Sequence, residues 1–189
     1  MIVNDLLAYE TVKKLIEWLS RPQAGDPFHQ ASQCASRDLF QAKLDNLFQQ
    51  TQNSLLAAVC GEIGNNSFDH NLGSWRDIAG VSFDYSAKEK RLVFLADRGQ
   101  GVRQTLSRII PNISSDVEAI RTAFTKVISG RSPEQRGNGL KFVAAVVGKN
   151  NWRLYFQSGK GYAEISGGNL NFGESTMDIN GCLAVLQYN

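Results

Sequence analysis

Apolar residues return at helical spacing through "DLLAYETVKKLIEWL", residues 5–19, at Leu7, Val12, Leu15, Ile16 and Leu19. This stretch predicts a helix with one apolar face. The pattern stops at "RPQAGDP", where two prolines and a glycine break it. Residues 38–70 predict a long helical region, continuous or interrupted. "GVSFDYSA" and "KRLVFLAD" predict two strands joined by a turn at Ala87–Lys90. In the first, Val81, Phe83 and Tyr85 alternate with polar residues, as in a half-buried antiparallel strand. The second is more continuously apolar, which predicts a central position.

The pattern changes over residues 102–136. Pro111 interrupts it, and Ser114, Ser115 and Asp116 make a capping-type start for a short helix reaching about Ile128. "SGRSPEQRGNG" reads as a loop and "GLKFVAAVVGKN" as an apolar helix ending near Gly148. "WRLYFQS", "GYAEIS" and "CLAVLQYN" predict three more strands joined by glycine-containing turns. Helices, two strands, helices and then three strands imply an α+β fold. Its helices would lie on one face of a mostly antiparallel sheet.

One helical segment carries an unusual polar set. In "SLLAAVCGEIGNNSFDH", Leu55, Val59 and Ile63 recur every four residues and make an apolar stripe. Glu62, Asn66 and His70 recur at the same interval and make a second stripe, with Asp69 beside it. The second stripe is either an ordinary solvated face or the wall of a pocket. Surface stripes favour Lys, Glu and Gln, whereas Gly64, Asn65 and Asn66 are poor helix formers.

The 189 residues suit one domain with a sizeable core, and 42% hydrophobic with 20% charged residues is an ordinary globular composition. A net charge of +2 argues against a general nucleic-acid binder. No run of eighteen apolar residues predicts a membrane span, and "MIVNDLLAYETVKK" does not read as a secretory signal. Cys34, Cys60 and Cys182 lack CxxC spacing, so reduced thiols and a cytoplasmic location are expected. With His29 and His70 as the only histidines, a structural zinc site is not expected.

Two glycine loops complete the candidate chemistry. "DRGQG", Asp97–Gly101, directly follows a predicted strand, and "RGNGL", Arg136–Leu140, directly precedes a predicted helix. Each is either a plain turn or part of a binding site. A glycine loop that opens a helix exposes backbone N–H groups at the positive end of the dipole, where an anion can sit. An aspartate at a strand end can accept a hydrogen bond deep in a pocket, and glycines beside it let a flat ring or phosphate approach the backbone. There is no GxxxxGK[ST] P-loop. "GQGVRQ" lacks the third glycine of a dinucleotide fingerprint.

The boxes "EIGNNSFDH", "DRGQG" and "RGNGL", in that order over residues 62–140, resemble the GHKL ATPase superfamily. That superfamily includes gyrase B, MutL, sensor histidine kinases and anti-sigma-factor serine kinases. "DVEAIRTAF" and "SGRSPEQRGNGL" resemble its stand-alone bacterial ATP-binding members more closely. The resemblance implies a two-layer α/β sandwich of the Bergerat type over residues 36–189. Residues 1–35 would form a helical extension that either packs on the domain or makes a homodimer seam, and residues 102–136 an ATP lid. It implies ATP and Mg²⁺ as cofactors. Asn66 would ligate the metal, and Glu62 would orient the attacking water or hydroxyl. Asp97 would accept from the adenine amino group, with Gly99 and Gly101 letting base and sugar lie on the loop. Gly137, Asn138, Gly139 and Leu140 would cradle the phosphates, helped by Arg131 or Arg136. Lys141 is a candidate for capping the γ-phosphate. His70 would either contact phosphate or cap its helix. Where the family often has Gly-Thr at the last strand, this chain has Gly181-Cys182, and a thiol is a poor hydrogen-bond partner.

Two functions are compatible with that resemblance. One is ATP hydrolysis or phosphotransfer to a serine of a regulated partner protein, in the manner of anti-sigma-factor kinases. The other is an ATP-gated binding module with little turnover. A third reading, outside the family, is an interaction protein whose glycine loops are only turns.

Overall fold

The computed structural model describes residues 3–21, 32–86, 91–126 and 138–189. Ala87–Lys90, Ile128, His29, Arg131, Arg136 and Gly137 lie outside the described residues. The fold is α+β, with a five-stranded sheet among the described residues. The strands are β1 (Gln33–Cys34), β2 (Val81–Ser86), β3 (Leu92–Asp97), β4 (Arg153–Ser166) and β5 (Asn169–Gln187). Their order is β1-β2-β3-β5-β4, and every pairing is antiparallel, so the sheet is not mixed.

The first predicted helix is two, α1 (Val3–Leu7) and α2 (Glu10–Ser20), because Tyr9 turns to an extended conformation between them. The long region is likewise α3 (Arg37–Thr51) and α4 (Ser54–Asn71). Gln52 takes a left-handed φ of 52° and closes α3, its N–H donating to Phe48 O at 2.7 Å. Asn53 Oδ1 then caps α4 by accepting from Leu56 N at 2.9 Å. Three helices follow: α5 (Val102–Ser107), α6 (Asp116–Thr125) and α7 (Gly139–Lys149). The start of α6 is the expected cap, with Ser115 Oγ accepting from Glu118 N and the Glu118 carboxylate accepting from Ser114.

The apolar run of β3 is buried at every position, because helices cover both faces of the sheet there. Val93 and Leu95 join a core built with α3, α4, α6 and α7. Leu92, Phe94 and Ala96 face the other way, against Val12, Leu15, Trp18 and Leu19 of α2. The expected arrangement, with helices on one face only, is therefore incomplete: α1 and α2 form a further layer. On α4 the apolar face runs through Leu56, Val59 and Ile63, while Leu55 is 43% exposed.

"WRLYFQS" and "GYAEIS" are one strand, not two. The register shifts at Ser158/Gly159 and Gly159/Gly161, so the predicted turn is an irregularity within β4. A Cβ at Gly159 or Gly161 would collide with Asp116, so the small residues let the first turn of α6 dock there. Lys160 N donates to Asp116 Oδ2 at 3.0 Å. Ile120 and Phe124 of α6 are buried in the main core. The part of the expected 102–136 lid that is described thus belongs to the folded body.

Candidate functional site

Helix α4 carries the first sequence box, and its side chains reach Asp97 of the second and Gly139 of the third. Glu62 and Asn66 lie one turn apart on it, and both approach Gly139, the first residue of α7. A Cβ at Gly139 would lie 2.5 Å from Glu62 Oε2 and 3.7 Å from Asn66 Nδ2. Glycine is what allows α7 to begin against these two side chains. Asn138, just before the helix, makes no side-chain cap, so the first N–H groups of α7 have no cap from it. Leu140 is partly buried and packs against the main core. One residue further on, Lys141 Nζ is buried and has no hydrogen-bond partner among the described residues. A buried ammonium without a partner is costly, and an anion would relieve it.

Ser67, adjacent to Asn66, connects the same helix to the end of β3. Its hydroxyl donates to Asp97 Oδ2 at 2.6 Å, and Gly99 N donates to Asp97 Oδ1 at 2.8 Å. Asp97 is 2% exposed, and burial pushes its carboxyl above the ordinary value, while both hydrogen bonds pull the other way. Its cross-strand partner is Cys182. Burial and the neighbouring Asp97 charge push that thiol well above its ordinary range, so it stays neutral. Gly181 has φ of 82°, and a Cβ there would collide with Asp97 O. The glycine lets the end of β5 press against the Asp97 loop.

The loop glycines serve the protein's own packing. The space of the missing Gly99 Cβ holds the Asn71 side chain, whose Oδ1 accepts from Gln100 N at 2.7 Å. A Cβ at Gly101, φ 79°, would lie 2.8 Å from Ser158 Oγ, which accepts from Val102 N at 3.0 Å. A base or sugar on this loop would have to meet other atoms than these two absent side chains. His70 is exposed in the last turn of α4, and its carbonyl accepts from Gln100 Nε2 at 3.1 Å. Gln100 Oε1 also accepts from Arg108.

Sequence reasoning did not single out Ser67, Asn71, Ser158 or Arg98. Ser67 and Asn71 are four residues apart on α4, and that spacing was the available signal. Arg98 has no such signal: its partners are 21 and about 80 residues away. Two surface cavities, of about 380 and 680 Å³, lie elsewhere, one beside α2 and Met177, the other between α3 and β2.

Glu62, Asn66, Ser67, Asp97, Gly139 and Lys141 therefore come from three elements, with α4 touching both of the others. No protein-family model matches the chain, and no curated protein matches it.

Proposed function

We propose that this chain binds Mg-ATP as a domain of the GHKL type, and that it hydrolyses ATP or passes the γ-phosphate to a serine of a partner protein it regulates. The observation that carries this reading is the approach of Glu62 and Asn66 to Gly139 at the opening of α7. That approach joins a candidate metal ligand and a candidate base to a helix start suited to phosphate. The buried Lys141 Nζ, which has no hydrogen-bond partner among the described residues, supports it, since a triphosphate would supply an anion.

Among the described residues no three His, Cys, Asp or Glu side chains cluster as a metal cage. Mg²⁺ keeps several waters and takes its other oxygens from substrate phosphates with one or two from protein. A donor set reduced to Asn66 suits that habit. Bound there, the ion would neutralise charge on the transferring phosphoryl group. Glu62 would hold the attacking water or serine hydroxyl and accept its proton. Asp97 would hold the adenine amino group, its carboxylate already aligned by Ser67 and the Gly99 N–H.

Titration calorimetry with ATP, with and without Mg²⁺, tests this on wild type and Asn66→Ala. Binding that depends on Mg²⁺ and is lost in the variant is expected. Equal binding by both proteins would remove Asn66 from the site, and no binding by wild type would sink the reading.

A further inference from the structure

The loop that carries Asp97 is also held from the opposite face of the sheet. Arg98 is 2% exposed, although its side chain carries a guanidinium. Its guanidinium donates to the carbonyl oxygens of Trp18 and of Arg21, the latter at 2.9 Å, at the C-terminal end of α2. The last carbonyls of a helix have no partner within it, and a cation there also meets the negative end of the dipole. The same guanidinium lies 5.4 Å from the Trp18 ring centre, and Asp77 neutralises it through contacts of 2.7–3.0 Å. A second link runs parallel. Asn180 Nδ2 donates to Leu19 O at 3.0 Å, and its Oδ1 accepts from Arg76 at 2.6 Å. Arg76 Nε in turn donates to Gly99 O at 3.1 Å.

Two arginines thus tie residues 97–99 to the last turn of α2. Asp97 and Arg98 are neighbours with opposite tasks: one side chain faces α4, the other faces α2. Releasing α2 would strip Arg98 of two carbonyl acceptors and its ring contact, leaving Asp77 as the partner that holds its guanidinium. The backbone of residues 98–99 would then lose the links that fix it to α2, and Asp97 beside them would be held from the α4 side alone.

We propose that Arg98 and Arg76 are positioning residues that make the docked α2 a working part of the Asp97 loop, so that displacement of this N-terminal helix switches off ligand binding at Asp97. The switching half of this rests on the Mg-ATP reading above; the coupling between α2 and the loop does not. Coupling of two sites through one element is reciprocal, so a ligand on the loop must also strengthen the docking of α2.

Hydrogen exchange on the full chain, with and without Mg-ATP, tests both halves. The proteins are wild type, Arg98→Met, Asn180→Ala, and Leu47→Ala as a control that opens a cavity in the other core. Without ligand, Arg98→Met and Asn180→Ala should speed exchange at residues 10–20 and 97–102 together, by about 10-fold, and lower Mg-ATP affinity by a similar factor. Leu47→Ala should not single out those two segments, and Mg-ATP should slow exchange in α2 of wild type. If Arg98→Met does not fold, Asn180→Ala decides. Loosening of α2 without the loop would overturn the proposal. So would full affinity in a variant whose α2 is loosened. Failure of wild type to bind Mg-ATP would overturn the site reading and the switch with it, while the ligand-free exchange still decides the coupling.

Discussion

The Ser67 hydroxyl donates to Asp97 Oδ2 at 2.6 Å, and this bond fixes α4 to the end of the central strand β3. It also stabilises a carboxylate that burial disfavours. Because the Asp97 carboxyl is held above its ordinary value, about 3.9, the native state binds more protons than the unfolded chain between that value and the raised one. Stability from this group is present at low pH and falls as pH rises through that window. Asp97→Asn removes the fall. Urea midpoints from about pH 4 to pH 8 should decline less steeply in the variant than in wild type, and parallel curves would contradict the assignment.

Gly99→Ala should be among the more damaging single-methyl additions. The new Cβ would occupy the place of Asn71, which is 4% exposed and holds Gln100 N. Expelling that amide costs about 2–4 kcal/mol through lost hydrogen bonds and strain. Adding Asn71→Ala to Gly99→Ala should cost much less than the sum of the two, because the collision is then gone. Denaturant unfolding of the three variants completes the cycle.

On the Mg-ATP reading, Glu62→Gln keeps the shape of the side chain but loses its ability to take a proton. Nucleotide affinity should stay within a few-fold of wild type while turnover falls about 10²–10⁴-fold. Phosphate release under single-turnover conditions checks it. Unchanged turnover in the variant would remove Glu62 from the reaction, and negligible turnover in wild type would favour a binding module over an enzyme.

Asp77 offers a pH test of the arginine clamp. Hydrogen bonding to Arg98 holds its carboxyl below the ordinary value. The stabilisation is therefore complete above about 3.9 and is lost as pH falls through the lower folded value. Asp77→Asn should lower the unfolding midpoint at neutral pH, and the difference from wild type should vanish in strong acid. A difference that persists below about pH 2 would point to packing instead of charge.

The part of the candidate site that is legible in the sequence rests on local signals. The four-residue spacing of Glu62 and Asn66, and glycine at the start of an apolar helix, survive in any tertiary setting. The uninterrupted apolar run of β3 likewise signalled a central strand, though not that an N-terminal helix would cover its second face. Other features depend on partners far away in sequence. Glycines 159 and 161 read as a turn because glycine favours turns. They lie in a strand because the start of α6 needs the room. Gln52 ends a helix in a left-handed conformation that its residue type does not advertise. Residues 116–125 lie between two of the boxes, within the span for which the resemblance implies a lid. Ile120 and Phe124, four apart, already marked a face for the core.

The two-sided burial of β3 and β5 has a consequence for how the chain is made. On the ribosome, α2 is synthesised long before its main partner: Leu19 O receives Asn180 Nδ2 across 161 residues of chain. Until β5 has emerged, Val12, Leu15, Trp18 and Leu19 have no finished surface to cover. Contacts so distant in sequence close late, and an amphipathic helix waiting for them is open to chaperones and to self-association. The segment of α2 is thus made well before the surface it covers, and its docking waits for β5.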